Sequence, residues 1–124
     1  MLGAAKVMGF IPTRDFRRAR AFYEGILGLT VTSVDEFALA VDSNGIMVRI
    51  AKVEQLTPQP FTILGWEVSN IQKTVADLTR HGVPTKKLGF PGQDELCIWT
   101  APSGARVAWF NDPDGNTLSV TQFP

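Results

Sequence analysis

The chain has 124 residues, 44% of them hydrophobic and 19% charged, and its 12 basic and 12 acidic side chains give a formal net charge of zero. This length and composition suit one domain with a real core and argue against a disordered chain. The balanced charge argues against a nucleic-acid-binding protein, because phosphate contacts dominate the affinity of such proteins. One cysteine, Cys97, excludes an internal disulfide and favours a reducing, cytoplasmic location.

The sequence has no run of 18 apolar residues, and its start lacks the pattern of a signal peptide. The cluster Arg14, Arg17, Arg18 and Arg20 falls on a predicted helix, where we interpret it as a solvated face. We therefore expect neither a membrane nor a nucleic acid as a partner.

The first half of the chain predicts one strand, one helix and three more strands. A buried strand at 6–11 is followed by Asp15, a residue type that caps helix N-termini. Gly28 is placed to end the helix, and Asn44-Gly45 predicts a hairpin between the last two strands. The predicted helical stripe is Ala19, Phe22, Tyr23, Ile26 and Leu27, and the predicted strands are 29–34, 36–41 and 46–52.

The second half repeats this order after a polar linker at 55–60. Met8 and Ile63 correspond in the two halves, as do Asp15 and Asn70, and both pairs are 55 residues apart. The predicted elements are a strand at 62–68, a helix with the stripe Ile71, Val75 and Leu78, a strand near 83–88, a loop at 89–94, strands at 95–100 and 105–110, a turn at 111–116 and a last strand at 117–123. In the last hairpin, residue 110 is expected to pair with 117, and 108 with 119.

The helix start Asp15-Phe16-x-x-Ala19-x-x-Phe22-Tyr23 and the turn 110–116 (FNDPDGN) resemble motifs of the vicinal oxygen chelate superfamily. That superfamily includes glyoxalase I, bleomycin-resistance proteins, fosfomycin-resistance enzymes and extradiol dioxygenases. The resemblance implies an α+β fold of two βαβββ modules, with curved mixed sheets around a cavity and helices outside. We expect one domain, 1–124, with module 1 at about 6–54, a linker at 55–60 and module 2 at about 61–123. The resemblance also suggests a homodimer.

The four positions that hold a metal in metal-dependent members correspond here to Met8, Arg49, Ile63 and Ser119, with Arg49 assigned to within about one residue. Zinc, iron and manganese require imidazole, thiolate or carboxylate ligands, which this set lacks. The one histidine, His81, falls at a helix end, where the helix dipole favours it. We predict no bound metal and no cofactor.

Strand alternation predicts which side chains line the cavity. The predicted ligand-binding residues are Met8, Phe10, Met47, Arg49, Ile63, Gly65, Glu67, Trp99, Arg106 and Ser119. Arginine can hold a carboxylate or phosphate through two parallel hydrogen bonds, so Arg49 and Arg106 are candidate anion anchors. Each could instead pair with Glu67 or point into solvent. Trp66 and Trp109 are predicted to lie in the core, whereas the position of Trp99 stays open.

Two weaker candidates are set aside. Cys97 lacks a nearby histidine to activate it as a nucleophile. Asp112 and Asp114 lack the further carboxylates of a calcium loop, so a turn is favoured.

These observations predict a metal-independent protein that binds a small apolar or aromatic, possibly anionic, molecule without chemistry. The alternative is a metal-free enzyme of lyase or isomerase type, with Glu67 as the base and an arginine stabilising an oxyanion. A metal-dependent lyase or dioxygenase is disfavoured by the absence of a second histidine.

Overall fold

The computed structural model describes residues 1–89 and 91–124. The chain divides into two units, Met1–Thr57 and Pro58–Pro124. Within the described residues, each unit holds one four-stranded mixed sheet and one long helical segment. Neither helical segment in the described part of the chain is long and apolar enough to cross a bilayer.

The sheet of the first unit has the strand order β1-β4-β3-β2. Its strands are β1 (Met8–Thr13), β2 (Thr30–Val34), β3 (Ala38–Ser43) and β4 (Ile46–Lys52). β1 runs parallel to β4, and the other neighbours are antiparallel. The predicted hairpin at Asn44-Gly45 is confirmed, with φ of 48° and 91° at the two residues.

The sheet of the second unit has the equivalent order β5-β8-β7-β6. Its strands are β5 (Leu64–Glu67), β6 (Trp99–Thr100), β7 (Arg106–Asn111) and β8 (Thr117–Gln122). As in the first unit, the first strand runs parallel to the last. The two βαβββ modules predicted from the sequence are therefore confirmed.

Each module begins its helix with the predicted cap. The Asp15 carboxylate accepts the backbone N–H groups of Arg17 and Arg18 at 2.9 and 3.2 Å, and α1 (Phe16–Arg20) follows. The Asn70 side-chain oxygen accepts the Lys73 N–H at 3.0 Å and starts α2 (Ile71–Arg80). These bonds satisfy donors that have no partner inside the helix.

The first helix contains one residue more than the second between its cap and its terminal glycine. The segment Ala21–Ile26 absorbs this residue as a π-helical turn, in which the Leu27 N–H donates to the Phe22 carbonyl at 2.9 Å. A π-turn widens the helix by one residue without breaking its hydrogen bonds. Both Gly28 and Gly82 then end their helices at positive φ.

One face of each sheet packs against the helix of its own unit. In the first unit, Lys52 lies over the Phe16 ring, with Nζ 5.7 Å from the ring centre. In the second, the Gln122 side chain accepts the Ile71 N–H at 2.8 Å. The buried core residues on these faces and helices include Ile11, Ala19, Phe22, Tyr23, Val48 and Ile50 in the first unit, and Ile71, Val75, Leu78, Ala108, Phe110, Leu118 and Val120 in the second.

The predicted register of the last hairpin is wrong by one residue. Phe110 pairs with Leu118, and Ser119 lies opposite Trp109 instead of Ala108. The turn is shorter than expected because Asn111 belongs to β7 and the Asp112 carboxylate organises the next four residues. It accepts the backbone N–H groups of Asp114 and Asn116 at 3.0 and 2.9 Å.

The predicted strand near 83–88 is also wrong, and 95–100 contributes only Trp99–Thr100 to the sheet. One backbone bond reaches β7, from the Lys86 N–H to the Trp109 carbonyl at 2.8 Å, and the neighbouring backbone groups bond to the Gln93 side chain. Its amide accepts the Leu88 N–H at 2.8 Å and donates to the carbonyls of Lys86 and Cys97 at 3.0 Å. Backbone groups satisfied by a side chain need no ladder.

Candidate functional site

The face of the first sheet away from its helix carries four of the predicted ligand-binding residues. Met8 lies opposite Met47, and Arg49 lies between Phe10 on β1 and Ala40 on β3. Met8, Phe10 and Met47 are 43%, 60% and 41% exposed, whereas their chain neighbours Ile11 and Val48 are buried. We call this surface the helix-free face of the first sheet.

Arg49 is the charged group in the middle of that apolar face. Its side chain is half-buried and has no hydrogen bond or ion pair within the part of the chain that the structure describes. Its charge does reach Asp35, whose pKa lies below the ordinary value. The main causes of that lowering are hydrogen bonds from the Phe37 and Ala38 N–H groups; burial opposes them, and Arg49 makes the smallest contribution to the lowering.

The corresponding face of the second sheet is built around Ser119. Gly65 on β5 and Trp109 on β7 flank Ser119 directly, and Glu67 lies one pleat further along. Trp99 on β6 lies opposite Val107 on the same side. Ile63 precedes β5, and its N–H donates to the Thr117 carbonyl at 2.9 Å.

A short chain of hydrogen bonds crosses this second face. The Trp109 indole N–H donates to Thr62 Oγ1 at 3.1 Å, and Thr62 Oγ1 lies 3.1 Å from Ser119 Oγ. Ser119 is 5% exposed. A Cβ at Gly65 would stand 3.0 Å from Ser119 Oγ, so the glycine lets the Ser119 side chain lie close against β5.

The tryptophans divide between the two sides of the second sheet. Trp99 and Trp109 lie with ring centres 6.3 Å apart and planes at 40° on the helix-free face. Trp66 stacks on Phe110 at 6.4 Å on the helix side, in agreement with its predicted core position. The predicted core position of Trp109 is wrong, since the one-residue change in register moves it to the face of Ser119.

The one-residue change in register also moves Arg106 out of the predicted ligand-binding face. Arg106 lies opposite Gln122, on the side of the sheet that meets α2, and so does not join Ser119, Gly65 or Glu67. Sequence reasoning also missed Thr62 and Trp109. Counting back from Asp112, whose side chain is of the type that caps turns, would have found the correct face.

The two strand registers make Arg49 and Ser119 equivalent. Arg49 lies opposite Phe10, Ser119 lies opposite Gly65, and Phe10 and Gly65 are 55 residues apart, like Met8 and Ile63. This register supports the choice of position 49 over its neighbours. Arg49 offers donors alone, and Ser119 offers a neutral hydroxyl, where a transition-metal site would need imidazole, thiolate or carboxylate ligands.

The residues at the four metal positions do not suit a transition metal. Ile63 has no ligand atom, the Met8 thioether suits only soft ions, and the Arg49 charge repels a cation. No group of three His, Cys, Asp or Glu side chains comes together among the described residues in a way that could hold an ion. His81 ends α2, with its ring Nδ1 2.8 Å from the Asp77 carbonyl.

Comparison with known proteins identifies the fold. The family model of the Glyoxalase/Bleomycin resistance protein/Dioxygenase superfamily matches residues 4–120. No curated protein matches the chain significantly.

Three solved structures illustrate the likeness. A glyoxalase family protein from Enterococcus faecalis has a TM-score of 0.78 at 18% identity, over 98% of this chain and 99% of that chain. A superfamily member from Sphaerobacter thermophilus has a TM-score of 0.75 at 21% identity, over 98% and 99%. A lactoylglutathione lyase from Agrobacterium tumefaciens has a TM-score of 0.73 at 14% identity, over 97% and 95%. At these identities the likeness concerns the fold alone.

Proposed function

The chain belongs to the Glyoxalase/Bleomycin resistance protein/Dioxygenase superfamily, and we propose that it is a metal-independent small-molecule-binding protein of that fold. The observation that carries the proposal is the pair of equivalent positions occupied by Arg49 and Ser119. A guanidinium has no lone pair to offer and a neutral hydroxyl is a poor ligand for a transition metal, so each position suits the acceptor oxygen of an organic ligand better than a metal ion.

Arg49 is the main reason to expect an anionic group on the ligand. A half-buried guanidinium with no hydrogen bond or ion pair to the described residues loses hydration and gains little in return, so a bound carboxylate or phosphate would restore two charge-assisted hydrogen bonds. Met8, Phe10 and Met47 surround it with apolar surface, and methionine adapts to irregular shapes. The ligand that fits is small, apolar or aromatic, and anionic.

The second candidate function is a metal-free enzyme of lyase or isomerase type. Glu67 favours it, because this carboxylate lies on the same helix-free face as Ser119, one pleat away along β5. A carboxylate beside a hydrogen-bond donor can act as a base toward a polarised substrate.

A thermal-shift screen against metabolites, antibiotics and divalent metals tests both functions. A ligand present at 100 times its Kd stabilises a protein by about 2.7 kcal/mol. We expect stabilisation by anionic aromatic compounds that are recovered unchanged after incubation. Recovery of a converted compound would favour the enzyme, and stabilisation by a divalent metal alone would contradict the proposal.

A further inference from the structure

The hydrogen-bond chain of the second sheet has a direction. An indole N–H can only donate, so Thr62 Oγ1 accepts from Trp109. Accepting that bond polarises the Thr62 O–H and makes it the better donor to Ser119 Oγ. The hydroxyl proton of Ser119 is then the end of the chain, and no acceptor bonds to it among the residues that the structure describes.

Gly65 allows Ser119 to lie close to β5. Glycine weakens the interior of a strand, and Gly65 has no positive φ that would require it. A Cβ there would meet Ser119 Oγ at 3.0 Å and the Ser119 carbonyl at 3.3 Å, so a larger residue would displace the Ser119 side chain. The glycine therefore fixes the position of the Ser119 hydroxyl.

Two aromatic side chains lie near Ser119. Trp109 is the direct cross-strand neighbour of Ser119, and the Trp99 ring centre is 6.3 Å from that of Trp109. Rings prefer offset or tilted contacts with other rings, so this pair favours a planar aromatic group over a branched aliphatic one.

We propose that Ser119, held in place beside Gly65, donates a hydrogen bond to an acceptor oxygen on a planar aromatic ligand beside Trp109 and Trp99. This inference rests on the proposed ligand-binding function and adds a specificity-determining residue and a ligand class. A ligand oxygen such as that of an aryl carboxylate or aryl ketone extends the chain that begins at the Trp109 indole. Ser119 binds the ligand, and Thr62 positions the Ser119 hydroxyl.

The test follows the three indole N–H signals by two-dimensional NMR while 2-naphthoate is added to the native protein. Trp66, on the opposite side of the sheet, serves as the internal reference. We expect Trp109 and Trp99 to shift with a common Kd, and Trp66 to stay in place. A shift confined to Trp66, or none at all up to about 10 mM, would overturn the inference; about 10 mM corresponds to a very weak affinity.

Variants then separate binding from structure. Ser119→Ala removes the donor and Gly65→Ala displaces the Ser119 hydroxyl, so each should weaken 2-naphthoate binding roughly three- to tenfold, in line with the loss of one hydrogen bond. Thr100→Val is the matched control, because it removes an exposed hydroxyl on the helix side of the same sheet. We expect it to bind like the native protein.

The outcomes distinguish this inference from the proposed function. If Ser119→Ala and Gly65→Ala both bind 2-naphthoate as tightly as the native chain, the Ser119 role is wrong while small-molecule binding stands. If the two variants melt at lower temperature yet keep native affinity, the hydrogen-bond chain is purely structural and the inference is again wrong. If no compound in the wider screen binds the native protein, the proposed function itself fails.

Discussion

Asp112 fixes the geometry of the last turn through one carboxylate. Besides the two backbone N–H groups of Asp114 and Asn116, it accepts the Asn116 side-chain amide at 2.9 Å, and it is 5% exposed. Three donors on one buried acceptor make its removal costly, because each donor would be left unsatisfied.

We predict that Asp112→Ala lowers the free energy of unfolding by about 2–4 kcal/mol, since the hydrogen bonds involve a charged acceptor. Asp42→Ala is the control, because Asp42 accepts one longer bond, from the Gly45 N–H at 3.3 Å. It should cost about 1 kcal/mol or less. Equal losses in urea denaturation would contradict this account of the turn.

Asp35 gives the protein a defined response to acid. Its pKa is lowered chiefly by the Phe37 and Ala38 N–H groups, so the folded state prefers the ionised carboxylate more than the unfolded state does. That stability is present above the unfolded pKa and is lost as the pH falls through the lower folded pKa. We expect an NMR titration of the Asp35 carboxyl to have its midpoint below that of an unstructured aspartate, and Asp35→Asn to remove this part of the acid dependence. A midpoint at or above the unstructured value would contradict it.

Some single-residue features could be predicted from the sequence and others could not. The caps Asp15 and Asn70 were predictable, because the residue types and the following stripes define helix starts locally. The bond between Thr62 and Trp109 joins residues 47 positions apart. A contact of this kind depends on strand register and could not be read from a local pattern.

Among the elements, the first helix is held mainly by its apolar stripe. Phe22 is 4% exposed and meets Tyr23 edge-on, with ring centres 5.0 Å apart. We predict that Phe22→Ala lowers the free energy of unfolding by about 3–5 kcal/mol through the cavity it leaves. Phe37→Ala, at a residue that is 71% exposed, is the control and should change stability by no more than about 0.5 kcal/mol. Melting curves that coincide for both variants would rule out this packing.

The register of β7 on β8 makes a prediction about two neighbouring positions. A one-residue change moves every side chain to the other face, so Trp109 joins Ser119 and Arg106 turns toward α2. We expect Arg106→Ala to leave the Kd of an anionic aromatic ligand unchanged and Trp109→Ala to weaken it. The reverse pattern in calorimetry would restore the register predicted from the sequence.

Elements with strong local signals were predicted well, and those held by side chains were not. The strand 46–52 and its Asn-Gly hairpin appear as expected, since both side-chain alternation and residues that tolerate positive φ can be recognised in a short stretch of sequence. The segment 83–88 has strand-like composition, but one backbone bond reaches β7 and the neighbouring backbone groups bond to the Gln93 side chain. A side-chain partner at such a distance gives no periodic signal.

Across the two units, the internal repeat makes Arg49 and Ser119 structurally equivalent. Because β1-β4 and β5-β8 have the same register, Arg49 and Ser119 are matched positions rather than isolated polar residues. We predict that the purified protein retains no zinc, iron or manganese after extensive dialysis, because these positions lack imidazole, thiolate and carboxylate ligands. Elemental analysis with close to one metal per chain would contradict this prediction.

Calorimetric titration of an anionic aromatic ligand from the screen into the native chain, Arg49→Ala and Arg17→Ala tests whether Arg49 anchors the ligand. Arg17 is an exposed arginine on α1, so its variant loses the same charge away from the site. We predict that Arg49→Ala weakens binding about 10- to 100-fold, as the loss of a charge-assisted contact of roughly 1.5–3 kcal/mol requires, while Arg17→Ala binds normally. Equal affinity in all three proteins would show that Arg49 does not anchor the ligand and would contradict the account.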